Sequence, residues 1–169
     1  MPIPPPPAAL IKLFEPWNKF YSDSKLTETV VQFAHTAGLV VAGGIAIATD
    51  RMTLRSGKWT EGDRRHHLAE LAMLHRTVLA GLTITILSGL AMLTSDLETF
   101  FGSWIYWVKM LMVVVLLANG ARMQSIEKDL AVESSIASPH WARLRTNAIA
   151  SITLWLSITL AGIALLNFA

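Results

Sequence analysis

Residues 29–51 read TVVQFAHTAGLVVAGGIAIATDR. From Thr29 to Ala48 the only ionisable side chain is His35. An α-helix of that length rises about 30 Å, the thickness of a bilayer's hydrocarbon core. The stretch therefore reads as a membrane-spanning helix over about 29–48, and it sets the scale for the rest of the chain. Three more stretches match it, at about 77–94, 104–119 and 148–168. The second helix is expected to begin before its span, near Arg64. No proline occurs between Pro16 and Pro139, so nothing breaks the first three helices.

The composition agrees. Of 169 residues, 53% are hydrophobic and 15% are charged, with a mean hydropathy of +0.47. A soluble domain carries about 25% charged residues. A disordered chain, a collagen and a typical soluble enzyme are excluded. The spans leave no room for a second domain, so residues 1–169 read as one membrane domain. With no cysteine, disulfides, thiolate metal sites, iron–sulfur clusters and cysteine nucleophiles are excluded. A net charge of +2 and a pI of 9.2 come from basic loops, which points to topology rather than to nucleic acid.

Residues 1–25 form a leading segment. MPIPPPPAA, residues 1–9, holds five of the seven prolines and favours an extended polyproline conformation. It lacks the basic start and apolar core of a signal peptide. In residues 10–21, LIKLFEPWNKFY, apolar residues recur at helical spacing between Lys12, Glu15, Asn18 and Lys19. This predicts a short amphipathic helix on the membrane surface, with Pro16 a point for a kink.

Orientation follows from the cations. Arg51, Arg55, Lys58, Arg64, Arg65 and Arg76 cluster around the first connection, and Arg122, Lys128, Arg143 and Arg145 around the third. Only Lys12, Lys19, Lys25 and Lys109 fall on the other side. The positive-inside bias puts the two long connections in the cytoplasm and both termini outside. Trp104, Tyr106 and Trp107 fit the outer aromatic belt. The expected architecture is all-α: an integral membrane four-helix antiparallel bundle preceded by a short interfacial helix.

Four segments carry a resemblance. They are TETVVQFAHTAGLVVAGGIAIATDR at residues 27–51, LAGLTITILSGLAMLTSDLETF at 79–100, WVKMLMVVVLLANG at 107–120 and ASITLWLSITLAGIALLN at 150–167. Together they resemble a family of four-helix bacterial integral membrane proteins of unknown function, similar in outline to the copper-resistance D-type membrane domain. By this resemblance His35, Asp50, Lys109 and Asn119 match the family pattern. His75 departs from it, since proline or tryptophan is more usual near there. The resemblance implies the bacterial inner membrane as location and a fold, with no established reaction.

Chemistry must then come from polar residues at membrane depth, which are costly and usually face the bundle interior. His35 lies about 9 Å below the outer end of its span, and Lys109 about 7.5 Å below that of the third. Ser88 and Thr159 fall near the same layer, and Gln32 would extend it. Gly38, Ala42 and Gly43 follow His35 as a smooth stripe. Such a stripe lets a flat macrocycle approach, or lets two helices pack closely. Lys109 also has a plainer reading, snorkelling to the headgroups beside Trp104 and Trp107.

An inner layer holds Asp50, His75, Arg76, Asn119 and Arg122, and His66, His67 and Glu70 have a spacing that can bind metal. A solvated basic helix start is the plainer reading of the latter group. His75 sits about 19 Å deeper than His35, so one haem cannot use both within a subunit. Haem at His35 would need Lys109, water or a second chain; a lower site would pair His75 with His140. The scattered methionines make no copper ladder.

The preferred expectation is a redox-linked membrane component holding haem b or a quinone around His35, Lys109, Gly38, Gly43, Ser88 and His75. His35 and His75 are the candidate metal ligands. Its partners would be the lipid bilayer and other membrane subunits or further copies of the chain. An accessory, non-catalytic subunit and a copper or small-solute transporter are the alternatives.

Overall fold

The computed structural model describes residues 5–132 and 138–168. Among these residues every regular element is helical. They are α1 (Ala8–Asp23), α2 (Lys25–Leu54), α3 (Glu61–Ser95), α4 (Leu97–Gly102), α5 (Trp104–Val132) and α6 (His140–Phe168), with a 3₁₀ turn at Ser56–Lys58. Four of them, α2, α3, α5 and α6, are long and apolar enough to cross a membrane.

The helix starts follow local chemistry. Pro7, in polyproline-like geometry (φ −56°, ψ 132°), precedes α1, which runs on through Pro16. The Ser24 side chain accepts the Thr27 N–H at 3.2 Å to open α2. Thr60 and Asp63 form a reciprocal capping box that opens α3 three residues before the expected Arg64. Asp96 caps α4 through the Thr99 N–H at 3.2 Å. The expected short link between the second and third spans therefore contains a helical turn of its own. Residues 1–4 of the proline-rich start and residues 133–137 of the third connection lie outside the described residues.

Each long helix outruns its span. At 35 residues α3 is about 52 Å long, against the roughly 30 Å of a hydrocarbon core. In α3 and α5 the surplus lies at the end that carries the first and third connections. There Met123, Leu130, Trp141, Leu144 and Ala148 form a buried cluster. A second cluster, Ala42, Leu116, Trp155 and Ile158, sits further along toward the other end.

The packing order is α3–α2–α6–α5. Helix α2 packs along α3, α6 along both α2 and α5, and α3 scarcely meets α5. Rising numbers on α2 meet falling numbers on α3: His35 with Ser88, Ala42 with Gly81, Thr53 with His67. Glycine makes the α2–α3 approach close. A Cβ on Gly38 would lie 2.6 Å from Thr85 Oγ1 and 2.8 Å from the Gly81 carbonyl oxygen. Helix α1 docks on the far end of α3, where Trp17 Nε1 donates to the Ala91 carbonyl at 2.9 Å and Asn18 donates to that of Ser95. Half-exposed as a helix, α1 keeps Tyr21 buried, and burial pushes that phenol's pKa up.

Candidate functional site

The outer polar layer is built by α2, α3 and α5. His35 Nδ1 lies 2.9 Å from the Thr85 carbonyl oxygen and 3.2 Å from Ser88 Oγ. A carbonyl only accepts, so Nδ1 carries a proton and donates. Ser88 uses its own hydroxyl hydrogen on backbone carbonyls, at 2.6 Å from Ile84 O and 3.1 Å from Thr85 O. The imidazole edge rests on Gly89, where a Cβ would sit 3.1 Å from Cε1. That leaves Nε2 as the ring nitrogen without a hydrogen bond among the described residues. A histidine held through Nδ1–H by a backbone carbonyl is oriented for work at Nε2.

Lys109 joins the layer from α5. It is half-buried, its charge acts on His35, and its Nζ would lie 3.6 Å from a Cβ on Gly162 of α6. Among the described residues it makes no ion pair or hydrogen bond. Thr159, expected near this layer, faces outward and donates to its own helix at Trp155 O, 2.8 Å. Gln32 turns to Glu28, 3.3 Å away.

The glycine stripe is taken up by protein. Gly38 lies on the Gly81–Thr85 stretch of α3, and Gly43 faces the Trp155 ring, with 3.0 Å from an added Cβ to Cε3. The approach that small residues allow here is that of neighbouring helices.

His75 stands apart. Its Nε2 meets the Gln124 side chain of α5. His35 contacts α3 at Thr85 and Ser88, so the two histidines stand apart by about 20 Å along that helix. His66 Nε2 lies 3.2 Å from Glu70 Oε1 on the exposed side of α3. His67 is buried; Thr53 spends its hydroxyl hydrogen on Thr49 O and accepts from His67 Nε2–H at 2.8 Å. Arg64 stacks over Trp141 at 4.9 Å and donates to Ser56 O at 3.2 Å. Among the described residues no group of three His, Asp or Glu is spaced to hold a metal ion.

The inner layer brings the expected Asp50, His75 and Asn119 together with Glu127, Gln124 and Ser151, which the sequence reading passed over. Asn119 donates to Asn147 O at 3.0 Å and ties α5 to α6. Asp50, 3% exposed, is hydrogen-bonded to Ser151. Glu127 lies within electrostatic range of Asp50. With His75 and Gln124, the Asp50, Ser151 and Glu127 side chains line the space between α3 and α5. Glu127 could have been found: it follows Leu116, Asn119, Gly120 and Met123 at helical spacing, on the face that ends in buried Leu130.

Compared with known protein families, curated proteins and solved structures, the chain matches none.

Proposed function

We propose that the chain is an integral four-helix antiparallel bundle of the bacterial inner membrane, with both termini outside, that holds a quinone in the outer layer at His35 and Lys109. The observation that carries this reading is the pair itself. A proton-accepting Nε2, fixed from behind by Thr85 and Ser88, lies within electrostatic range of an ammonium that has no acceptor among the described residues. A quinone carbonyl supplies the acceptor that Lys109 lacks. A quinol hydroxyl supplies the donor that His35 Nε2 lacks. Both sit about a quarter of the way into the bilayer, where a quinone headgroup would meet lipid and water. Such a component is redox-linked, and its electrons would pass through other membrane subunits.

Haem b is the second reading, because the Nδ1–H···O=C arrangement also suits an axial imidazole. It is weaker here, since the glycine face that would admit a macrocycle is packed by α3 and α6.

The test is an optical spectrum and an organic extract of protein purified in mild detergent. The reading expects a quinone in stoichiometric amount, lost from His35→Ala and from Lys109→Met. A Soret band with no quinone would transfer the site to haem. Neither ligand would overturn both.

A further inference from the structure

The weak meeting of α3 and α5 leaves a cleft whose floor is α2 and α6. Its inner part is a cavity of 170 Å³. One end is polar, with Asp50, Ser151, Glu127, His75 and Gln124. The other end is apolar, with Val78, Leu82, Leu116 and the Trp155 ring. The cavity continues into a wider recess of 670 Å³ that shares His75, Gln124 and Glu127 and is rimmed by Arg64, Arg65 and Lys128.

Asp50 decides what this cavity can take. The residue is 3% exposed, and its Oδ2 has no hydrogen-bond partner among the described residues. Its other link is to Ser151, a neutral hydroxyl. As a carboxylate, a buried group with an open oxygen is strongly unfavourable unless a cation or a donor meets it; otherwise it takes up a proton. Glu127 is a second carboxyl within electrostatic range of Asp50, so a cation between them would be held by either one when ionised. Two of the three cations on the recess rim are engaged elsewhere: Arg65 pairs with Glu61, and Arg64 lies over Trp141. The apolar wall and the absence of a metal-spaced set among the described residues favour an organic cation over a bare ion. Trp155 offers an aromatic ring to such a ligand.

We propose that the α3–α5 cavity binds a small amphiphilic ammonium compound, its cationic head against Asp50 and its apolar body against Val78, Leu116 and Trp155. Access is from the membrane side of the cleft, since Arg65 and Lys128 on the recess rim repel a cation arriving from water. The site is separate from the quinone layer: His35 touches α3 at Thr85 and Ser88, beyond the cavity wall at Leu82.

The experiment uses the full chain in detergent and phenyltrimethylammonium as probe. Dicyclohexylcarbodiimide labelling of Asp50 is followed by peptide mass spectrometry, and binding by calorimetry. Saturating probe is expected to slow Asp50 labelling about tenfold, whereas the neutral analogue N,N-dimethylaniline leaves it unchanged. Asp50→Asn is expected to weaken probe binding about tenfold and Glu127→Gln by less, with His35→Ala binding as wild type. The labelling arm needs only the wild-type chain, so it stands even if a variant misfolds. Equal protection by both compounds, protection by neither, or full affinity in Asp50→Asn would overturn the proposal.

Discussion

The outer layer and the inner cavity hold polar groups in opposite ways. Around His35, α2 and α3 approach backbone to backbone over Gly38 and Gly81, and the imidazole is clamped through Nδ1 with one atom left to act. Around Asp50, α3 and α5 stand apart, and a carboxylate oxygen is left without a partner in a walled space. Close packing fixes the orientation of a single group. Loose packing leaves volume for a whole ligand. Small residues serve both ends of the contrast: Gly38, Ala42 and Gly81 let α2 and α3 close on each other, whereas Gly120 on the cleft has no neighbour within 4 Å of an added Cβ.

The contrast is broken most severely at the tight contact. Gly38→Leu drives a side chain into Gly81 and Thr85 and is expected to cost about 3 kcal/mol or more in detergent unfolding titrations. Gly44→Leu, with nothing within 4 Å of its added Cβ, is expected to stay within about 0.5 kcal/mol of wild type. A similar change on the cleft should separate stability from binding. Gly120→Leu meets no neighbour within 4 Å of its Cβ and lines the cavity, so unfolding should shift by about 0.5 kcal/mol while phenyltrimethylammonium binding falls about tenfold. Equal losses of stability at Gly38 and Gly120 would erase the distinction.

Smaller effects sharpen it. Asp50→Asn replaces a buried ionisable carboxyl by a neutral group of the same shape, so its unfolding free energy should equal or exceed wild type, by up to about 1 kcal/mol. A residue kept at a cost in stability is the signature expected of a binding group. Asn119→Leu loses the bond to Asn147 O and is expected to cost about 0.6 kcal/mol, as interhelical hydrogen bonds in membranes do. Both values come from the same unfolding titration.

The four long helices were legible in the sequence because an uninterrupted apolar run of bilayer length has few alternatives, as residues 29–48 illustrate. His35 and Lys109 were legible because an ionisable residue in such a run usually faces inward, a rule that holds less for hydroxyls: Ser88 is buried and Thr159 faces outward. The order α3–α2–α6–α5 was not, since hydropathy carries no information on which neighbours meet. Gly38 and Gly43 illustrate the limit: their smallness is visible in the sequence, but whether a ligand or a helix fills the space depends on tertiary packing. Glu127 was hidden by its surroundings, since Arg122, Lys128 and Asp129 make its segment read as a solvated loop rather than the end of a buried face.

The central claim is that His35 and Lys109 meet one quinone headgroup. Photolabelling of the purified chain with an azidoquinone, mapped by peptide mass spectrometry, tests it most directly. The account predicts covalent label confined to peptides containing His35, Thr85–Gly89, Lys109 and Gly162, and suppressed by excess unlabelled quinone. Label spread along the lipid-facing sides of all four helices, or concentrated at Asp50 and Glu127, would contradict it.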